Sequence, residues 1–397
     1  WAWWLSYGKL RASWGRTGSQ FGIPYLAQGL MNAGSIFDGV QGMMPEGITN
    51  HKLKWEESDQ YDFGLDMDMF NYRLNVKLDY YYKYTSSLIY DIPIPGSLYA
   101  FGAQVENAME ISNEGLELEL QADILRESAV SWRMKFNMAR NWNRFEKSYS
   151  GKDVVDGDGT LLVVGRPLNG LYVWAHRGYY NSDAEVPRLY KIDGQEIYFN
   201  GVATNGISGA VGDYRLLDLD GDGNPDSYYA GSPLPLAHGG WVNELMWKNF
   251  DLNVLVNFTI GRKMINNRMG LGFSRQSEDG HLTKLFDYRK LRPWDGVNKK
   301  PNAPAWGNSL SMNTDSAIEK VHHLALKQIT LGYNLPDRIS KKAGLSGVRF
   351  FLTAENLFYL SNYSGGNPEV VNIYTGRDNG DTYPLPRKYT LGLTLNF

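Results

Sequence analysis

The chain has 397 residues and a formal net charge of −3, from 40 basic and 43 acidic side chains. This near-neutral balance argues against a nucleic-acid-binding protein, which usually carries a strong basic excess. The chain contains no cysteine, which excludes a disulfide framework and thiol chemistry. It opens with Trp1-Ala2-Trp3-Trp4 and shows no signal-peptide pattern, so we expect a mature chain or a fragment whose beginning is missing.

Apolar and polar residues alternate twice within residues 61–84. The odd positions from Tyr61 to Met69 are apolar, with three aspartates and a glycine between them, and a second alternation runs from Leu74 to Tyr82. Because successive side chains of a β-strand point to opposite faces, the pattern predicts two strands in an antiparallel hairpin. Each strand exceeds the usual ~5–6 residues. One apolar and one charged face suit a wall between lipid and a water-filled lumen.

The same alternation predicts strands along the rest of the chain, at residues 5–14, 115–124, 132–138, 241–247, 252–260, 324–333, 348–359 and 388–397. Short connections near residues 71, 127, 249 and 340 alternate with long ones at 15–54, 86–108, 143–238, 264–320 and 360–386. This strict alternation predicts an all-β, up-and-down transmembrane barrel with about ten strands in residues 1–397.

The longest connection, residues 143–238, is a large excursion between two predicted strands. In outer-membrane barrels the short turns are periplasmic and the long loops extracellular, so we expect this excursion outside the cell. A soluble β-sandwich is the alternative architecture. It would require shorter strands and a buried face richer in branched aliphatic residues.

Residues 218–226 carry the strongest local motif, because an oxygen-bearing side chain recurs at every second position. These side chains are Asp218, Asp220, Asp222, Asn224 and Asp226. With Gly223 at the turn position, they match the first part of a calcium-binding loop. We therefore expect a calcium ion that rigidifies the excursion. Position twelve is Tyr229 rather than glutamate, and the alternative is an Asp/Gly-rich turn whose carboxylates are satisfied by water.

Aromatic side chains are frequent in the long connections. Aromatic faces stack on sugar rings, so we expect some of them to bind a sugar-like ligand. The alternative for each is packing within a loop or at the membrane interface. The candidates are Trp174, Tyr179, Tyr180, Tyr228, Tyr229, Trp294 and Trp306.

Two carboxylate pairs invite a catalytic interpretation. Asp66 and Asp68 share a strand face, as do Glu117 and Glu119, and a glycosidase also uses a pair of carboxylates. Because every predicted strand has such a polar face, we interpret both pairs as lumen wall. No serine elbow, phosphate-binding loop or Cys-X-X-Cys motif is present, so we predict no catalytic residues.

Five segments resemble the SusC/RagA family of TonB-dependent outer-membrane transporters. They are LRASWGRTGSQ at 10–20, DLDGDGNPD at 218–226, HLALKQITLGYNLP at 323–336, VRFFLTAENLFYLSNYSGGNP at 348–368 and PLPRKYTLGLTLNF at 384–397. The resemblance spans the chain and implies the C-terminal part of a barrel of about 22 strands. The family's N-terminal plug domain and TonB-contacting segment have no counterpart in these residues.

The resemblance implies import of oligosaccharides across the outer membrane, with a SusD-like surface lipoprotein as a lid. TonB would act through the plug domain, and the only cofactor expected is the calcium ion. RagA-like relatives take up peptides, so a peptide importer is an alternative. An outer-membrane barrel enzyme and a structural or assembly protein on the same scaffold are further alternatives, and the scarcity of histidine, six in all, counts against the enzyme.

Overall fold

A computed structural model describes residues 3–20, 22, 24–99, 101–155, 161–186, 188–190, 196–198, 211–219, 221, 226–267, 292–297, 300–305, 314–369, 372, 374–379 and 383–397. Within these ranges, ten long strands form one antiparallel sheet in which each strand pairs with its neighbours in sequence. None of the described helices is long and apolar enough to cross a membrane, a finding that does not bear on strands.

The sheet follows the chain from one edge to the other. Its strands are β1 (Leu5–Ser19), β2 (Glu56–Met69), β3 (Leu74–Pro93), β4 (Ala103–Leu125), β5 (Val130–Lys147), β6 (Ala237–Trp247), β7 (Phe250–Asn266), β8 (Ile318–Asn334), β9 (Gly347–Ser361) and β10 (Lys388–Asn396). The two-residue strand Arg377–Asp378 pairs in parallel with the end of β7.

The connections contain short elements. Paired strands are Met31–Phe37 with Val40–Pro45, Val154–Val155 with Leu161–Leu162, Leu171–Trp174 with Ser227–Gly231, His176–Tyr179 with Tyr214–Leu216, and Arg188–Tyr190 with Glu196–Tyr198. The described helices are Gly96–Tyr99 and Asp337–Ser340, with 3₁₀ turns at Leu26–Gln28, Asp183–Glu185, Asp315–Ala317 and Lys341–Ala343.

The predicted strands are present, and most extend beyond their predicted ends. The clearest difference is residues 86–108, predicted as an irregular connection, where β3 continues to Pro93 and β4 begins at Ala103. The β3–β4 register shifts between Thr85 and Leu88, and Ser87 has a φ of 57°. A bulge of this kind inserts an unpaired residue and breaks the period of two, so the alternation in the sequence stops before the strand does.

The alternation gives the sheet one apolar and one charged face. On the apolar face, Phe63, Leu116 and Leu352 are 53%, 43% and 49% exposed, as lipid-facing side chains of a barrel are. On the charged face, the Arg11 guanidinium contacts the carboxylates of Asp66 and Asp79 at 2.9 and 2.7 Å. The charged side chains therefore form a cross-strand network that can face water.

At two places in the sheet, a glycine lies beneath a cross-strand ion pair. Gly64 pairs with Arg11 on one side and Asp79 on the other, and a Cβ added there would lie 2.5 Å from both the Arg11 guanidinium carbon and Asp79 Oδ1. Gly332 lies in the same way beneath the contact between Asp251 and Arg349. The missing side chain therefore makes room for an ion pair that spans three strands.

The long-loop rim is uneven because β6 begins late. It pairs with β5 only as far as Ala139 and with β7 only as far as Ile260. Beyond this level β5 and β7 continue without β6 between them. Two apolar clusters attach described parts of the excursion to this rim: Val154 and Leu162 pack with Met109, and Leu171 packs with Ile265. The excursion is therefore packed against the strand ends.

Candidate functional site

A cavity of about 830 Å³ lies between the end of β3, the excursion and residues 374–377. Four aromatic residues, Tyr90, Tyr172, Trp174 and Tyr374, contribute to its wall. Among the described lining residues, Arg377 is the only charged one. An aromatic and apolar cavity with a few polar groups is the usual form of a small-molecule binding site.

The short strand Leu171–Trp174 positions two of these aromatic residues. Leu171 and Val173 are buried in the cluster that contains Ile265, so the period of two turns Tyr172 and Trp174 to the other face. The Tyr172 hydroxyl is buried and has no hydrogen-bond partner among the described residues. Desolvation is the main cause that raises the pKa of Tyr172 to about 12. The phenol therefore stays protonated and can donate to a ligand oxygen.

A second aromatic cluster surrounds Tyr214, whose side chain is only 1% exposed. Its ring stacks on Tyr179 with centroids 5.4 Å apart and meets His176 edge-on at 4.8 Å. The Ser316 hydroxyl donates to the Tyr214 oxygen at 2.9 Å. Burial raises the pKa of both Tyr179 and Tyr214. This cluster therefore joins the excursion to the segment before β8.

Two contacts to the Asp315 carboxylate strengthen the same junction. His176 Nδ1 contacts Asp315 Oδ1, and the Tyr228 hydroxyl donates to Asp315 Oδ2 at 3.2 Å. Asp315 therefore holds one side chain from each of two short strands of the excursion. Tyr228, a predicted substrate contact, is engaged in this structural junction.

The predicted aromatic residues occupy different surroundings. Trp174 lines the cavity, whereas Tyr180 is buried and its backbone N–H donates to the Asp213 carbonyl at 3.1 Å. The Tyr229 ring lies 5.6 Å from that of Tyr172.

The Arg166 guanidinium lies over the Tyr229 ring, 4.7 Å from its centroid. The Trp294 Nε1–H donates to Asn181 Oδ1 at 3.2 Å. Trp306 lies outside the described residues. Of the described members of the predicted set, Trp174 is the residue that lines the aromatic cavity.

The predicted calcium loop is described only at its ends. Asp220, Asp222 and Asn224 lie outside the described residues. Asp218 Oδ1 accepts from the Gly221 N–H at 2.6 Å, and the Asp226 carboxylate accepts from the Leu219 N–H. The part of the chain that the structure describes holds no group of three or more metal-binding side chains. The calcium site stays a prediction.

Sequence reasoning missed Tyr90, Tyr172, Tyr374 and Arg377 as cavity residues. A usable signal existed for Tyr172, because it alternates with the apolar residues Leu171 and Val173 in the sequence. Tyr90, Tyr374 and Arg377 come from connections that are distant in sequence. Nothing in their local pattern indicates that they meet.

The chain matches known proteins along its whole length. Residues 2–231 match the family model described as "TonB dependent receptor-like, beta-barrel". TonB-dependent receptor P26 of Formosa agariphila is 30% identical, over 98% of this chain and 40% of its own length. TonB-dependent receptor SusC of Bacteroides thetaiotaomicron is 27% identical, over 99% of this chain and 38% of its own length.

A solved structure shares the fold. The RagAB peptide transporter superposes with a TM-score of 0.78 at 25% identity, covering 100% of this chain and 41% of that chain. This chain therefore spans about two fifths of the length of the relatives it matches.

The two-faced antiparallel sheet is part of an outer-membrane β-barrel, as the sequence predicted. The chain belongs to the TonB-dependent receptor-like β-barrel family, whose members are transporters rather than enzymes. Over its length it is similar to SusC and to RagA-type transporters, which confirms the resemblance stated from the five sequence segments.

Proposed function

We propose that the full-length protein imports oligosaccharides across the outer membrane and that this chain supplies part of its wall and of its recognition surface. The observation that carries the proposal is the aromatic cavity above the charged face of the sheet. Its volume of about 830 Å³ lies within the ~300–1,000 Å³ range of ligand sites.

Recognition in this cavity would combine ring stacking with hydrogen bonding. Trp174 and Tyr374 offer apolar ring surfaces, and sugar rings pack against such surfaces through their C–H groups. The buried hydroxyl of Tyr172 is a donor without a partner in the structure. A sugar hydroxyl or ring oxygen that accepts from it would remove the cost of burying that donor.

Passage through the barrel would need no covalent step. The charged face carries cross-strand pairs such as Lys135 with Glu244 at 2.8 Å, and a wall of this kind suits a water-filled path. In the proposed arrangement, residues 143–238 face the cell exterior, a SusD-like lipoprotein covers them, and TonB acts through a plug domain. Similarity to SusC and to the RagAB transporter supports these partners.

A peptide importer is the second candidate. Two observations favour it: the similarity to the RagAB peptide transporter, and Arg377 at the cavity wall, because a guanidinium is suited to binding a carboxylate. Titration of the full-length protein with neutral oligosaccharides and with short peptides separates the two. Oligosaccharide binding that is lost in Trp174→Ala supports our proposal, whereas binding of peptides alone supports the alternative.

The calcium ion at residues 218–226 is part of the proposal. The spacing of Asp218, Asp220 and Asp222 supports it. Its role would be structural, because Asp226 precedes Ser227–Gly231, which pairs with the strand that carries Trp174. An ordered loop would hold that strand in register beneath the cavity.

A further inference from the structure

A second cavity, of about 480 Å³, lies at the rim where β6 begins. Its wall includes the end of β5 with Arg140 and Trp142, Pro167 and Tyr229 of the excursion, the segment before β6, and the adjoining ends of β7 and β8 with Lys263 and Lys320. It occupies the gap that opens because β6 starts later than the strands on either side.

Every charged side chain among the described lining residues of this cavity is basic: Arg140, Lys263 and Lys320. None of the three forms an ion pair with another described residue. The Lys263 ammonium does donate to the backbone carbonyl of Ala230. On the charged face of the sheet, by contrast, Lys135 pairs with Glu244 at 2.8 Å. Within the described part of the chain, the cavity therefore gathers positive charge without a matching carboxylate.

The arrangement is unfavourable for the protein alone. Lys263 and Lys320 are direct cross-strand partners in the β7–β8 register, and like charges placed opposite each other destabilise a sheet. The Arg140 guanidinium lies over the Trp142 ring at 4.5 Å, which fixes its position at the wall. A bound anion would remove the repulsion and use all three cations.

The position of the cavity indicates where the anion comes from. Lys320 lies four residues before Leu324 on β8 and so shares its face. Leu324 is a 39% exposed residue of the apolar face. The basic side chains therefore line the rim above the lipid-facing side of the sheet, at the level where lipid headgroups meet water.

We propose that this cavity binds the phosphate of a phosphorylated sugar, with Arg140 as a bidentate donor and Lys263 and Lys320 as point charges. The volume of about 480 Å³ is many times the ~30 Å³ of a water molecule, so it accommodates part of the sugar as well. The position favours the headgroup of a membrane glycolipid as the source, and a soluble sugar phosphate carries the same chemistry.

The test uses the full-length protein and two probes. The first probe is glucose 1-phosphate, with glucose as the unphosphorylated comparison; each is titrated calorimetrically into the protein in detergent. The second is lipid A, a phosphorylated glucosamine lipid, measured by native mass spectrometry of protein from phosphatidylcholine nanodiscs with and without it. We expect one phosphorylated probe to bind and glucose to bind no more tightly than background.

The variants separate charge from structure. Lys263→Gln and Lys320→Gln should each weaken binding about tenfold, the loss expected for one charge-assisted hydrogen bond. Lys263→Arg/Lys320→Arg keeps the charge and should retain binding. Lys248→Gln is the control for the two glutamine variants, because it removes the charge of a lysine that lies at the opposite rim, over the Trp247 ring.

Each outcome decides the proposal. Loss of lipid A retention in the glutamine variants assigns the site to a lipid headgroup, and loss of glucose 1-phosphate binding assigns it to a soluble ligand. Binding that is unchanged in Lys263→Gln and Lys320→Gln, or wild-type protein that binds neither phosphorylated probe, overturns it.

Discussion

Replacing Tyr214 by alanine should increase local unfolding of the excursion and leave the pairing of the long strands unchanged. The substitution removes a ring that is only 1% exposed and that packs on both Tyr179 and His176. Removing a buried aromatic side chain destabilises a core by about 3–5 kcal/mol. Because this ring joins the excursion to residues 314–317 rather than to the centre of the sheet, the loss should appear in local opening.

Hydrogen exchange on the full-length protein measures this opening. A loss of about 4 kcal/mol corresponds to a roughly thousandfold rise in the open population, since ~1.4 kcal/mol is tenfold. We expect faster exchange in His176–Tyr179 and Tyr214–Leu216 and unchanged exchange in β3 and β4. Tyr214→Phe keeps the ring and loses the hydrogen bond with Ser316, so its effect should be about 1 kcal/mol.

Tyr374→Ala is the control, because that ring is 75% exposed and its loss should leave exchange in the excursion unchanged. The reasoning is refuted if Tyr214→Ala leaves exchange in the excursion as it was. It is equally refuted if β3 and β4 accelerate as much as the excursion does.

Four further predictions test other parts of the structure. Gly64→Val should displace the Arg11–Asp79 contact and lower stability by about 1–3 kcal/mol in thermal unfolding, while Gly15→Ala, with nothing within 4 Å of its added Cβ, should have little effect. Because the chain has no cysteine, Asp66→Cys should react with a membrane-impermeant maleimide and Leu65→Cys should not; the reverse pattern would contradict the assignment of faces. Asp220→Asn/Asp222→Asn should remove bound calcium, measured by elemental analysis, whereas Asp153→Asn should retain it; calcium-free wild-type protein would contradict the site. Burial raises the pKa of Tyr172 from 10.0 to about 12, so this side chain ionises at lower pH in the unfolded chain than in the folded protein. Its contribution to stability is therefore complete below pH 10 and is lost as the pH rises towards 12. Tyr172→Phe should lose less stability than the wild-type protein over that interval, and equal losses would contradict the shift.

The alternation of residues predicted the fold because a barrel wall has two chemically different faces along every strand. Leu65 and Asp66 are neighbours in sequence, yet one faces lipid and the other a guanidinium. The alternation failed to predict the full length of a strand where a bulge interrupts its two-residue period. Ser87 adopts a φ of 57°, and the bulge there concealed the extension of β3 to Pro93.

The candidate site could be predicted only in part. Trp174 was identified as an aromatic residue of a long connection, and the cavity places it beside Tyr172. Arg377 could not be found in this way, because its position depends on a two-residue parallel pairing with β7. Contacts among loops depend on how distant connections pack, and no local periodicity records that packing.

Uptake of a labelled oligosaccharide by cells that carry the full-length protein and the proposed surface lipoprotein tests the central claim most directly. The account predicts accumulation in cells with functional TonB, none in cells that lack TonB, and strongly reduced accumulation for Trp174→Ala. Accumulation that is independent of TonB, or uptake of peptides with no uptake of oligosaccharides, would contradict it.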